Sequence, residues 1–278
     1  MRAEDPRLDD LGHTDFRLAR QLKYYTTNDP PPTRVRPMPL GLLLLLFENF
    51  STGSSKSQAI VDLALIAFFF MLRPGEYCSG GSDALKSPFR LKDVQFGIGS
   101  QDITVYDLSI HNLSCLDTVS LTFTSQKNGI KGESITHGRT KHRWANPVQK
   151  VLNRVLYLLR HKAPFSTPLC SYFENNIWTE ITVMDITKAM RTTVLAHGSQ
   201  FGLTQSDISA RSMRAGGAMV LLLAGVPGDT IKLLGRWKSN AMLAYLHTSA
   251  KELTQGYSNR MIQGGNYTIV PQPKSPSQ

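Results

Sequence analysis

The sequence predicts a mainly α fold with a small antiparallel β-sheet, an α+β architecture, and three features carry that prediction. Apolar residues recur at helical spacing along much of the chain, an alternating Thr-, Val- and Phe-rich segment with a turn lies near its middle, and Gly and Pro punctuate the helical stretches. At 278 residues the chain is long enough for one large domain, or one domain and a small companion, around a proper core.

The elements follow in order. Residues 1–38 are polar and end in TNDPPPTRVRPMP, where successive prolines forbid helix and favour an extended segment. They read as a linker attached to the remnant of a truncated N-terminal module. Helices are expected over Leu40–Asn49 and from Ser57 to about Leu72, the second apolar almost all round and so central to the core. From about Leu91 to Thr140 the pattern turns to β. VSLTFTSQ alternates, Lys127-Asn128-Gly129 supplies a turn and GESITHGRT resumes the extended pattern, which predicts a hairpin with basic residues at its tip.

After Pro147, the residues Val148, Val151, Leu152, Val155, Leu156 and Leu159 mark one buried helical face. Thr182 and Asp185 resemble a capping box that opens a helix through about His197. Ser212–Ala224 is a further helix, stopped by Gly225-Val226-Pro227-Gly228. Asp229 is expected to cap a short helix, and Asn240–Thr248 forms the last one. The main domain thus runs over 39–258, followed by a tail over 259–278.

Lys and Arg exceed Asp and Glu by 31 to 21, a formal charge of +10, which favours a polyanionic partner, nucleic acid before an anionic membrane. The excess is local: nine basic residues against the single acid Glu133 lie between Gln126 and Lys162. The longest apolar run, Ala59–Leu72, is interrupted by Asp62 and is too short to span a bilayer. The three cysteines contain no C-x-x-C pair, so neither a disulfide framework nor a zinc site is suggested, and an intracellular location is expected.

Breaking a phosphodiester without a metal requires a nucleophile, cations at the non-bridging oxygens and an acid for the leaving oxygen. Arg73 closes the apolar helix in MLRPGEY and needs a carboxylate or phosphate partner, with Glu76 three residues on. Arg211 and Arg214, three apart in ARSMRAGGAMVLLLAG, share a face if helical and can converge on one phosphate. Gly216 and Gly217 weaken that helix relative to alanine, which implies a close neighbour. The third cluster is LLGRWKSNAMLAYLH, with Tyr245 ten residues after Gly235.

Taken in order over about residues 40–258, these boxes resemble the catalytic domain of the tyrosine recombinase or phage-integrase family, and RAGGA with LGRWKSNA resembles its Crypton-like eukaryotic mobile-element branch. The resemblance implies a recombinase that cleaves and rejoins double-stranded DNA through a 3′-phosphotyrosine, without cofactor, metal or ATP. It implies that Arg73 and Arg214 clamp the scissile phosphate, that Lys127 protonates the departing 5′-oxygen with Lys131 as alternative, and that Tyr245 is the nucleophile. It also implies a DNA-bound homotetramer, a nuclear location in a eukaryotic host, and an upstream DNA-binding module.

Two positions depart from the family pattern. Arg211 stands where the family usually has His, and an arginine cannot act as a base near neutrality. At the family's later His or Trp position, counting back from Tyr245 gives Arg236, whereas residue type favours Trp237, which either donates its indole N–H to the phosphate or packs in the core. His247 lies near the nucleophile in sequence, and His137 either meets a phosphate or is exposed. The rival functions are a catalytically impaired, domesticated DNA-binding protein and a type-IB topoisomerase-like enzyme.

Overall fold

The structure, a computed structural model, describes residue 20 and residues 35–80, 87–124 and 132–237. Among the described residues, seven α-helices accompany a four-stranded and a two-stranded antiparallel sheet, the α+β class expected.

Helices α1 (Leu40–Phe50) and α2 (Ser55–Phe69) form the centre. The Ser54 side chain accepts from the Ser57 N–H and so caps α2, whose residues Ala59 to Phe68 are all buried. Its apolar surface is covered by α4 (Pro147–Arg160), α5 (Val183–His197) and α6 (Ser212–Leu223). Asn146 caps α4 and Thr182 caps α5, the latter in the reciprocal box with Asp185 that its sequence predicts. The extended residues preceding α1 belong to this core: Met38 is fully buried and its N–H donates to the Ser212 carbonyl.

Gly216 and Gly217 explain how α6 lies so close. A Cβ on Gly216 would collide with the Met38 carbonyl, and one on Gly217 with the Phe68 carbonyl. The glycines let backbone meet backbone, as their helix-breaking cost implied.

The larger sheet has the order β2-β1-β3-β4, with β1 Val94–Ile98, β2 Gln101–Thr104, β3 Thr118–Phe123 and β4 Glu133–Gly138. Val119, Leu121 and Phe123 alternate inward, as the pattern requires. The register pairs Phe123 with Glu133 at the turn end of the β3–β4 hairpin. The hairpin tip lies outside the described residues.

Two expectations need correction. A second sheet, β5 (Ser171–Glu174) with β6 (Ile177–Glu180), was not foreseen: its strands are four residues each, and Asn175 and Asn176, both at positive φ, form the turn. The short helix α7 (Gly228–Leu234) is preceded by Pro227, so Asp229 lies inside its first turn rather than capping it. Pro227 fixes the entry with its own φ, and the acid favours the helix N-terminus as a charge instead. The expected helix over Asn240–Thr248 lies outside the described residues. Among the described residues, no helix is long and apolar enough to cross a membrane.

Candidate functional site

Three chain segments converge where α2 ends. Helix α2 stops at Phe70, and Met71 takes a left-handed φ of 46° that turns the chain and leaves the Phe70 and Met71 carbonyls directed away from the helix. Arg73 follows at the N-cap of the short helix α3 (Pro74–Tyr77), where its own N–H donates to Glu76 Oε2 at 2.8 Å. Its guanidinium meets Glu76 Oε1 at 2.9 Å, the partner that an arginine at the end of an apolar helix demands. Tyr77 anchors the turn from below by donating its hydroxyl to the Ala210 carbonyl at 2.8 Å, just before α6 begins.

Arg214 enters from α6. It is 4% exposed, and its Nη1 and Nη2 donate to the carbonyls of Met71 at 2.6 Å and Gly235 at 2.5 Å. These two bonds tie α6 to the turn that carries Arg73 and to the end of α7. The Trp237 ring covers the guanidinium at 4.0 Å. Trp237 also lies against Gly235, where a Cβ would overlap the indole, so the Leu-Gly-Arg-Trp order places glycine where the ring needs room.

Arg236 completes the cluster. It takes φ 59° just after α7, a position that glycine usually fills, at a cost on the order of 1–3 kcal/mol for another residue. Its side chain turns inward. Nη1 donates to the carbonyls of Phe70 and Leu234 at 3.2 and 3.3 Å, while Nη2 donates to the Met71 carbonyl at 3.2 Å and to Glu76 Oε2 at 3.1 Å. The guanidinium lies 3.9 Å from the Phe123 ring. Burial pulls it below its ordinary value, with Glu76 opposing. Glu76 is therefore shared by two arginines, Arg73 and Arg236.

Of the sequence-selected residues, Arg73, Glu76, Arg214, Arg236 and Trp237 meet at this one place. Arg211 differs from Arg214 in burial. It precedes the first residue of α6 and is exposed, whereas Arg214, one turn in, is buried. Lys127, Lys131, Tyr245 and His247 lie outside the described residues. Sequence reasoning missed the carbonyls of Phe70 and Met71 and the role of the Phe123 ring, since backbone acceptors do not announce themselves in a sequence and alternation shows that Phe123 faces inward but not what it meets.

The basic stripe divides. Lys150 and Arg154 are core residues, 3% and 2% exposed: Lys150 Nζ pairs with Asp62 at 3.3 Å, and Arg154 donates to the carbonyls of Leu169 and Ser171. Arg139, Lys141, Arg143, Arg160 and Lys162 remain exposed. His137 is half-buried, edge-on to Phe70 with ring centroids 4.6 Å apart, rather than exposed.

No family model matches the sequence, and no curated protein matches it. Among solved structures, the chain is similar to the XerH site-specific recombinase bound to palindromic difH substrate in a post-cleavage complex, with TM-score 0.51 and 15% identity over 80% of this chain and 52% of that one. It is also similar to the Tn1549 transposon integrase in complex with transposon right-end DNA, with TM-score 0.49 and 13% identity over 88% of this chain and 70% of that one. For the XerA recombinase the values are 0.48 and 14%, over 84% and 66%. The chain thus spans about half the length of the XerH chain it matches. The likeness to XerH is one of fold: this chain has the mixed α+β fold of a tyrosine recombinase catalytic domain.

Proposed function

We propose that this chain is the catalytic domain of a tyrosine recombinase that cleaves and rejoins double-stranded DNA through a 3′-phosphotyrosine. One observation carries the reading. Arg73 and Arg214, distant in sequence, are joined through the Met71 turn, with Arg73 two residues beyond the carbonyl that accepts from Arg214. A pair of fixed guanidinium groups is what a phosphate needs as charge builds on its non-bridging oxygens.

In this reading, the Tyr245 oxygen attacks phosphorus and loses its proton, the bond to the 5′-oxygen breaks, and Lys127, with Lys131 as the alternative, donates the proton that makes the 5′-hydroxyl. Attack by a 5′-hydroxyl of another strand reverses the step and reseals the DNA. Arg211, an arginine near neutral pH, is not the base. The RAGGA and LGRWKSNA wording supports a Crypton-like mobile-element origin, and with it a tetramer on DNA and a nuclear site of action in a eukaryotic host.

The test is covalent trapping. A duplex is selected from a random-sequence pool by binding to the full chain, and a nick is placed beside each candidate phosphate in turn. The expected result is a denaturant-stable protein–DNA adduct that Tyr245→Phe abolishes and that Arg73→Ala or Arg214→Ala slows by about 100- to 1,000-fold. Retarded DNA with no adduct at any nick overturns the reading in favour of a binding protein that has lost catalysis. Plasmid relaxation without strand exchange overturns it in favour of a type-IB topoisomerase.

A further inference from the structure

Arg236 and Trp237 both compete, on sequence, for the family's later His or Trp position, and the structure sends their side chains to different tasks. Trp237 is partly exposed and covers Arg214, whereas the Arg236 side chain is 2% exposed and faces the interior. We infer that Arg236 is a positioning residue: by sharing Glu76 it fixes the orientation of the Arg73 guanidinium, and by stacking on Phe123 it holds the turn end of strand β3 against the same site. The inference rests on the recombinase reading for its consequence in catalysis, and on geometry alone for the positioning itself.

Three features of the site support it. The two oxygens of Glu76 are divided: Oε1 takes Arg73, and Oε2 takes both Arg236 Nη2 and the Arg73 backbone N–H. A carboxylate gripped from both sides cannot rotate, so the Arg73 guanidinium bonded to it has one direction in which to point. Arg73 is also the more accessible of the two cations, with its side chain 20% exposed against 2% for Arg236. It is the one placed to meet an incoming phosphate.

The second feature is the backbone. Arginine occupies a left-handed position that glycine fills without strain, while the preceding residue is a glycine. The side chain's grip on the Phe70, Met71 and Leu234 carbonyls offsets that strain, and a planar five-donor fork is suited to serving several acceptors at once. Lysine offers a point charge with no fork. The third feature is Phe123, the last residue of β3, paired across the hairpin with Glu133. Through it, Arg236 touches the strand that leads directly to the segment carrying Lys127.

The test uses the full chain with Arg236→Lys, Arg236→Met and Glu76→Gln. The side-chain Nε–H resonance of Arg73, read by its heteronuclear NOE, is expected to be rigid in the wild type and to lose order in all three variants. Should Arg236→Met fail to fold, Arg236→Lys and Glu76→Gln, both close in shape, carry the measurement. An Arg73 resonance that stays rigid in both overturns the inference.

The adduct assay on the selected nicked duplex supplies the second readout. A residue acting through Arg73 adds little once Arg73 is gone, so Arg73→Ala/Arg236→Lys is expected to match Arg73→Ala within about threefold. Defects that multiply assign Arg236 its own contact with the phosphate and overturn the inference. If the wild type forms no adduct while Arg73 loses order in the variants, it is the recombinase reading that fails, and the positioning stands on the NMR result.

Discussion

Gly217 has no side chain because the Phe68 carbonyl stands where a Cβ would go, with the Met71 side chain beside it. Gly217→Ala therefore forces α6 away from α2, and the expected loss is about 1–3 kcal/mol, read as a lower urea midpoint with unchanged slope. An unchanged midpoint would mean that the helices are not so tightly apposed. The glycine pair could be read from the sequence because a helix that tolerates two glycines announces a close neighbour; which neighbour is a matter of tertiary structure. Asp62 is the opposite case. In the sequence it is only an interruption of an apolar run, and its partner Lys150 sits in a basic stripe that suggests solvent. Removing one partner, as in Lys150→Met, takes the ion pair from a buried carboxylate that keeps only Arg154 as a nearby cation, and is expected to cost about 3 kcal/mol, whereas Asp62→Leu/Lys150→Met restores most of it. Chemical denaturation of the single and double variants checks both numbers.

At the level of elements, the helices were legible because their caps and apolar faces are local: Thr182 with Asp185 and the spacing of Val148, Val151, Leu152 and Val155 need no distant information, although Leu156 and Leu159, expected on the same face, are half-buried and Leu158 is buried instead. The β5–β6 ribbon was not, because four-residue strands with mixed exposure leave too short a period to read. The β3–β4 hairpin was legible in its alternation, but not in what it rests on. His137 on β4 packs against Phe69 and Phe70, at the end of the helix that precedes Arg73. Burial holds its imidazole below the usual histidine value of 6.5, against a hydrogen bond to the Phe69 backbone. A base depressed in the folded state binds its proton more readily when unfolded, so its contribution is full above pH 6.5 and is lost as pH falls through the folded value. The wild type is expected to lose melting temperature on acidification below that point by more than His137→Gln does. Parallel curves for the two proteins would remove His137 as the cause.

For the molecule as a whole, the question is where a polyanion lies and how strongly salt governs it. The nine basic residues between Gln126 and Lys162 overstate the surface available, because Lys150 and Arg154 lie in the core. That division could not be read from composition: a lysine beside a solvent-facing stripe and a lysine paired to a buried aspartate are the same letter. The described part of the stripe offers Arg139, Lys141, Arg143, Arg160 and Lys162 as exposed cations, and each that meets a phosphate releases about one counterion. If all five engage, affinity for duplex DNA is expected to fall by roughly several hundredfold between about 50 and 200 mM salt. Replacing Lys141 and Arg143 by Gln is expected to lower the log–log slope by about 2 and to weaken every DNA sequence alike, because phosphate contacts carry no sequence information. Binding measured by anisotropy across a salt series decides it. A slope unmoved by the double replacement would place the DNA on another face, and the phosphate site proposed at Arg73 and Arg214 would then have to be approached from that side.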